Sequence, residues 1–158
     1  MQNIDIFMEK EKKRAIEISS EIIEKPKISM MVVIFPFLLI NFIQELRVYR
    51  YKKEFFLKEY LYLKNVVIDL LKNGYLAQEE LKEKIEEALI KNEEYLEFYK
   101  YQIQEALSIR DYIFQEKNEK IMRLKEIETL KKWMDIFKLE GDNLEVSLKL
   151  LNILNNKI

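Results

Sequence analysis

The chain has no cysteine and no histidine among its 158 residues, and only two glycines and two prolines. Without cysteine there is no disulfide, no thiolate metal site and no cysteine nucleophile. Without histidine the usual zinc and haem ligands, the Ser-His-Asp triad and the Glu-x-x-His pairs of di-iron bundles are excluded as well. Gly74 and Gly141 stand too far apart to form a glycine-rich phosphate loop. So few backbone breakers also argue against a sheet with many turns. No catalytic, cofactor-binding or metal-ligating residue is therefore assigned, and the chain is not expected to be an enzyme. An active site built from Glu, Lys, Tyr and Arg alone would have to show itself as a concave pocket with converging Glu or Lys side chains.

Hydrophobic residues make up 49% of the chain and charged residues 35%, with a net charge of −1. That mixture suits one folded domain with a real core and excludes a disordered chain. Acids and bases are interleaved, so there is no basic face for nucleic acid, and no nucleic-acid partner is expected. With Leu, Ile, Glu and Lys dominant and breakers scarce, the fold class is all-α.

Residues 3–25 read as an amphipathic helix, with Ile4, Met8, Ala15, Ile18 and Ile22 on one stripe and Lys10, Lys12, Lys13 and Arg14 opposite. Pro26 ends it. Residues 45–72 carry a stripe of Tyr49, Phe56, Tyr60, Leu63, Val67 and Leu70, stopped by Asn73-Gly74. Residues 76–115 read as one long helix. Its seam runs through Leu81, Ile85, Ala88, Leu96, Tyr99, Ile103, Ala106 and Ile113, with polar insertions at Asn92 and Arg110. A short link makes it the antiparallel partner of residues 45–72. Asn92 and Arg110 either set register and oligomeric state or point to solvent at the edge of the face. Two shorter helices follow. One carries Ile121, Leu124, Ile127, Leu130, Met134 and Phe137. The other, after Gly141, has Asp142 as expected N-cap, Glu145 as capping-box partner, and Leu144, Leu148, Leu151 and Leu154 on its apolar side. The stretch LKNGYLAQEELKEKIEEAL, residues 71–89, resembles the short SHOCT-type helical module: a helix, a glycine turn and a Glu-rich helix. The likeness covers only this stretch and carries no function. The acids of that helix fit a solvated face with pairs such as Glu80–Lys84.

The residues that decide most lie between. Residues 28–44 hold seventeen residues without a charge, and eleven of them are Ile, Val, Phe or Leu. As a helix they span about 25 Å, at the lower edge of the transmembrane range. Their insertion is worth about −3 to −7 kcal/mol. Arg47, Tyr49, Arg50 and Lys53 follow, the aromatic and cationic mixture favoured at a bilayer interface. Ile28, Val32, Phe35, Pro36, Leu39 and Ile43 are accordingly the expected membrane segment. Residues 1–27 do not read as a secretory signal. Six Lys/Arg flank each side, so charge does not orient the span, and Pro36 permits either a kinked span or a re-entrant bend.

The expected organisation is an amphipathic helix over 1–27, a membrane segment over 28–44 and a coiled-coil-like helical domain over 45–158. The expected role is a membrane-anchored, non-enzymatic scaffold or adaptor with its C-terminal domain cytoplasmic. Its partners would be membrane lipid and either another protein or a second copy. The alternative is a soluble, cytoplasmic all-α protein–protein interaction module in which residues 28–44 form a buried core helix.

Overall fold

The computed structural model describes residues 2–27, 38–89, 95–115 and 118–158. Among them it is all-α, with six helices and no strands: α1 (Gln2–Ile22), α2 (Leu38–Lys72), α3 (Gln78–Ala88), α4 (Leu96–Gln115), α5 (Glu119–Phe137) and α6 (Gly141–Asn156). The expected stripe of α1 is the one it buries, from Ile4 through Met8, Ala15 and Ile18 to Ile22. α1 lies antiparallel to α2, as the pairs Asp5–Lys72, Glu11–Lys64 and Ser20–Lys53 show. α4 and α5 form a second antiparallel pair, with contacts from Glu97–Lys132 to Tyr112–Glu119. α6 packs on α5 and α1.

α2 ends as its sequence predicts. Gly74 takes a φ of +93°, the Tyr75 N–H donates to Leu70 O and the Gly74 N–H to Leu71 O. These two bonds satisfy carbonyls that a helix end would otherwise leave open.

The long helix expected over 76–115 is instead two helices, and this corrects the hairpin. Leu89 is extended (φ −77°, ψ 129°) and buried, while Ala88, expected on the seam, is exposed. A continuous helix would run roughly 60 Å. Stopping after Ala88 lets Leu81, Ile85 and Leu89 fill the same core as Ile103, Ala106, Ile109 and Ile113 of α4. Asn92 lies outside the described residues.

The membrane segment does not appear among the described helices: none of them is long and apolar enough to cross a membrane. Ile28, Val32, Phe35 and Pro36 lie outside the described residues. Leu39 and Ile43 belong to the first turns of α2, which carries Glu45, Arg47 and Arg50 directly afterwards. Ile43 is exposed.

Three smaller expectations also change. The buried face of α5 is Met122, Arg123, Glu126, Ile127 and Thr129, whereas Ile121, Leu124 and Phe137 are exposed. Burial there follows charge pairing as well as hydrophobicity. α5 stops at Lys138, in the left-handed conformation (φ 41°), and Glu140 is the N-cap of α6, without a side-chain cap bond. Asp142 therefore sits in the first turn rather than at the cap, and Leu144 and Leu148 are exposed. Lys84 pairs with Glu87 at 2.7 Å rather than with Glu80.

Candidate functional site: a charged layer beneath an aromatic cleft

Two apolar clusters fill the bundle. One gathers Ile4, Phe7, Leu63, Val67, Leu81, Ile85 and Ile109; the other gathers Ile18, Ile22, Ile127 and Leu154. Between them runs a layer of buried charge. Glu11 follows Met8 and precedes Ala15 on the buried face of α1. Lys64 stands between Tyr60 and Val67 on α2. Arg123 and Glu126 stand between Met122 and Ile127 on α5. Glu11, Lys64, Arg123 and Glu126 are all buried.

The members of the layer pair chiefly with one another. Arg123 Nη1 and Nη2 each donate to one carboxylate oxygen of Glu11, and Nη2 also reaches Glu119 at 2.9 Å. Lys64 Nζ lies 2.6 Å from Glu126 Oε1 and 3.3 Å from Glu11 Oε2, with the Tyr60 ring centroid at 3.6 Å. Arg14 approaches Glu126 Oε2 at 3.5 Å. Desolvation opposes every one of these charges, and pairing is what permits them. Burial works to raise the Glu126 carboxyl, but Lys64, Arg123 and Arg14 outweigh it and hold it at about 2. Burial works to lower the Lys64 ammonium, and Glu126, Tyr60 and Glu11 more than offset this, so it stays above its ordinary value.

Glu105 differs. It projects from α4 towards the same layer, is buried, and makes no ion pair among the described residues. Burial pushes its carboxyl up to about 7; Lys64 and the Thr129 hydroxyl pull the other way without cancelling it. Burial likewise raises the Tyr60 phenol, whose oxygen has no hydrogen-bond partner.

Glu105, Glu126, Lys64 and Tyr60 form the floor of a cleft of about 580 Å³ between α2, α4, α5 and α6. Its walls are aromatic and aliphatic: Phe55 and Phe56 of α2, Phe98 of α4, Leu130 and Trp133 of α5, Val146 and Leu150 of α6. Lys52, Glu59, Asp142 and Asn143 stand exposed at the rim. The concave pocket with converging Glu and Lys side chains that an enzyme would need is thus present. Its chemistry is narrow, because Lys64 and Glu126 are locked as a charged pair and only Glu105 can exchange a proton near neutrality. Among the described residues no group of three or more acids could hold a metal ion.

The residues singled out in the sequence fall elsewhere. Arg47 and Arg50 are exposed on the first half of α2. Tyr49 is half-buried, and Lys53 lies over its ring at 5.9 Å while donating to the Ser20 hydroxyl. Arg110 donates from Nε to Leu76 O at 2.9 Å and from Nη1 to Asp111 at 2.8 Å, tying α4 to the segment after the Gly74 turn. None of these reaches the cleft. The charged layer went unread because each member looks like an ordinary surface charge. The available signal was positional: Glu11 and Lys64 occupy gaps in otherwise apolar stripes at helical spacing.

No protein-family model, no curated protein and no solved structure matches this chain.

Proposed function

We propose that this protein is a non-enzymatic all-α interaction module that pairs with a second copy of itself through the outer face of α2. The observation that carries this is a stripe of large apolar side chains facing solvent: Val48 is 52% exposed, Tyr51 69%, Phe55 55% and Tyr62 45%. Their spacing is that of a coiled-coil seam, with Val48, Phe55 and Tyr62 seven apart and Tyr51 three after Val48. No helix among the described residues covers them.

Charge selects the arrangement. Beside the seam stand Arg47 and Glu54 on one flank and Lys52 and Glu59 on the other. A parallel pair would set Arg47 against Lys52 and Glu54 against Glu59, like against like. An antiparallel pair about Phe55 sets Lys52 of one copy against Glu59 of the other, twice, by two-fold symmetry. The membrane anchor expected from residues 28–44 has no such support among the described helices.

Sedimentation equilibrium tests the pairing. The protein is expected to form a dimer, Val48→Glu to abolish it, Lys52→Glu to weaken it, and Lys52→Glu with Glu59→Lys to restore it. A monomer at all concentrations would refute the proposal.

A further inference from the structure

The cleft has a sign, and it is set by which of its polar groups remain open. Lys64 Nζ is occupied by Glu126 and Glu11, so it offers nothing to an anionic ligand. Three oxygens at the floor are not so occupied. Gln102 Oε1 and the Tyr60 hydroxyl are buried without a hydrogen-bond partner, and the Glu105 carboxyl is buried without an ion pair among the described residues. All three can accept. A carboxylate or phosphate entering here would meet Glu105 and, with Lys64 engaged, find no cation and only the Tyr60 O–H to donate to it. A wholly apolar guest would fill the walls and leave the floor's acceptors desolvated.

We infer that this cleft binds an amphiphilic primary amine, its ammonium on Glu105, Gln102 and Tyr60 and its apolar body between Phe55, Phe98 and Trp133. An ammonium brings three N–H donors, and Glu105, Gln102 and Tyr60 all present oxygens that can accept them. The cavity, about 580 Å³, falls in the range of small-molecule sites, roughly 300–1,000 Å³. Aromatic walls favour a cation at their faces as well as an alkyl or aryl body. The Glu105 carboxyl, raised by burial, is returned to its ionised form by an ammonium bound beside it. The inference does not rest on the pairing of α2, but Tyr51, Phe55 and Tyr62 belong to both surfaces, so a second copy on that stripe would compete with a ligand for the α2 side of the cleft.

The test uses three probes of equal chain length: n-octylamine, n-octanol and octanoate. Binding is followed by calorimetry and by the fluorescence of Trp133, the chain's single tryptophan. Octylamine is expected to bind at least tenfold more tightly than either of the others. Glu105→Gln, checked for folding by its thermal melt, should lose tenfold or more in octylamine affinity and keep its affinity for octanol. Val146→Trp, at the cleft's wall, should block all three probes. Val48→Glu, at a position of the α2 stripe that does not line the cleft although Tyr51, Phe55 and Tyr62 do, should bind the amine at least as tightly as the parent protein, which separates this site from the pairing of copies. Equal binding of amine and alcohol, tighter binding of octanoate, an unchanged Glu105→Gln or no binding of any probe overturns the inference.

Discussion

Arg123 of α5 grips both carboxylate oxygens of Glu11 of α1 across 112 positions of the chain. Two parallel N–H···O bonds give the pair its direction as well as its strength. Removing one partner leaves the other charged, buried and incompletely paired. Arg123→Ala or Glu11→Ala is therefore expected to cost about 3–5 kcal/mol in chemical denaturation. The double variant should cost less than the two single losses added together. Strict additivity would mean that the pair is not coupled.

Stability should depend on pH in two windows with opposite slopes. Glu126 sits at about 2, below the ordinary 4.5, so its contribution is complete above 4.5 and is lost as pH falls towards 2. Glu105 sits at about 7, above 4.5, so the folded state holds its proton more tightly than the unfolded chain does. Its contribution is complete below 4.5 and declines as pH rises through 7. Thermal melts should show Glu105→Gln gaining on the parent protein between pH 5 and 8. A constant difference across that range would show that Glu105 ionises as it does in water.

The break after Ala88 has its own test. With Ala88 exposed and Leu89 buried, Leu89→Ala should cost about 2–4 kcal/mol. Ala88→Gln should stay within about 0.5 kcal/mol. A continuous helix with Ala88 on its seam predicts a larger penalty for the larger side chain at 88.

The α5–α6 corner carries two left-handed residues, Lys138 (φ 41°) and Gly141 (φ 57°). A side chain in that conformation costs about 1–2 kcal/mol relative to glycine. Lys138→Gly should therefore stabilise by about 1 kcal/mol, and Gly141→Ala should destabilise by a similar amount although its Cβ would meet open space. Both are measurable by urea unfolding.

How far the fold could be read from the sequence follows from which forces leave a local trace. The stripe of α1 and the Gly74 stop were legible because periodicity and a glycine at a helix end act within a few residues. The division of residues 76–115 was not, because nothing in ALIKNEEYL breaks a helix. The helix stops there because α4 gains more by packing back onto the bundle, a tertiary effect that outweighs propensity. The charged layer and the cleft were hidden for a related reason. Lys64 becomes a core residue only because Glu11 and Glu126 arrive from distant helices, and Glu105 is left without an ion pair among the described residues because those two acids already occupy Lys64. The exposed apolar stripe on α2 is half legible: helical spacing picks out Tyr49 and Phe56 as the apolar face, while Val48, Tyr51, Phe55 and Tyr62 lie on the side that faces solvent.

The bridge between α1 and α5 also sets an order of events. At about 5–20 residues per second, synthesis takes on the order of ten seconds to travel from Glu11 to Arg123. Until then α1 carries an acid on the face it must bury, with Lys64 as its only counter-charge from the layer. α1 and α2 can meet early, through Lys64, but that partial union leaves Glu126's place empty and one cation shared by nothing else. The core closes when the α5 charges are delivered, so for a helical protein an unusual share of the cohesion is withheld until the last third of the described chain has been made.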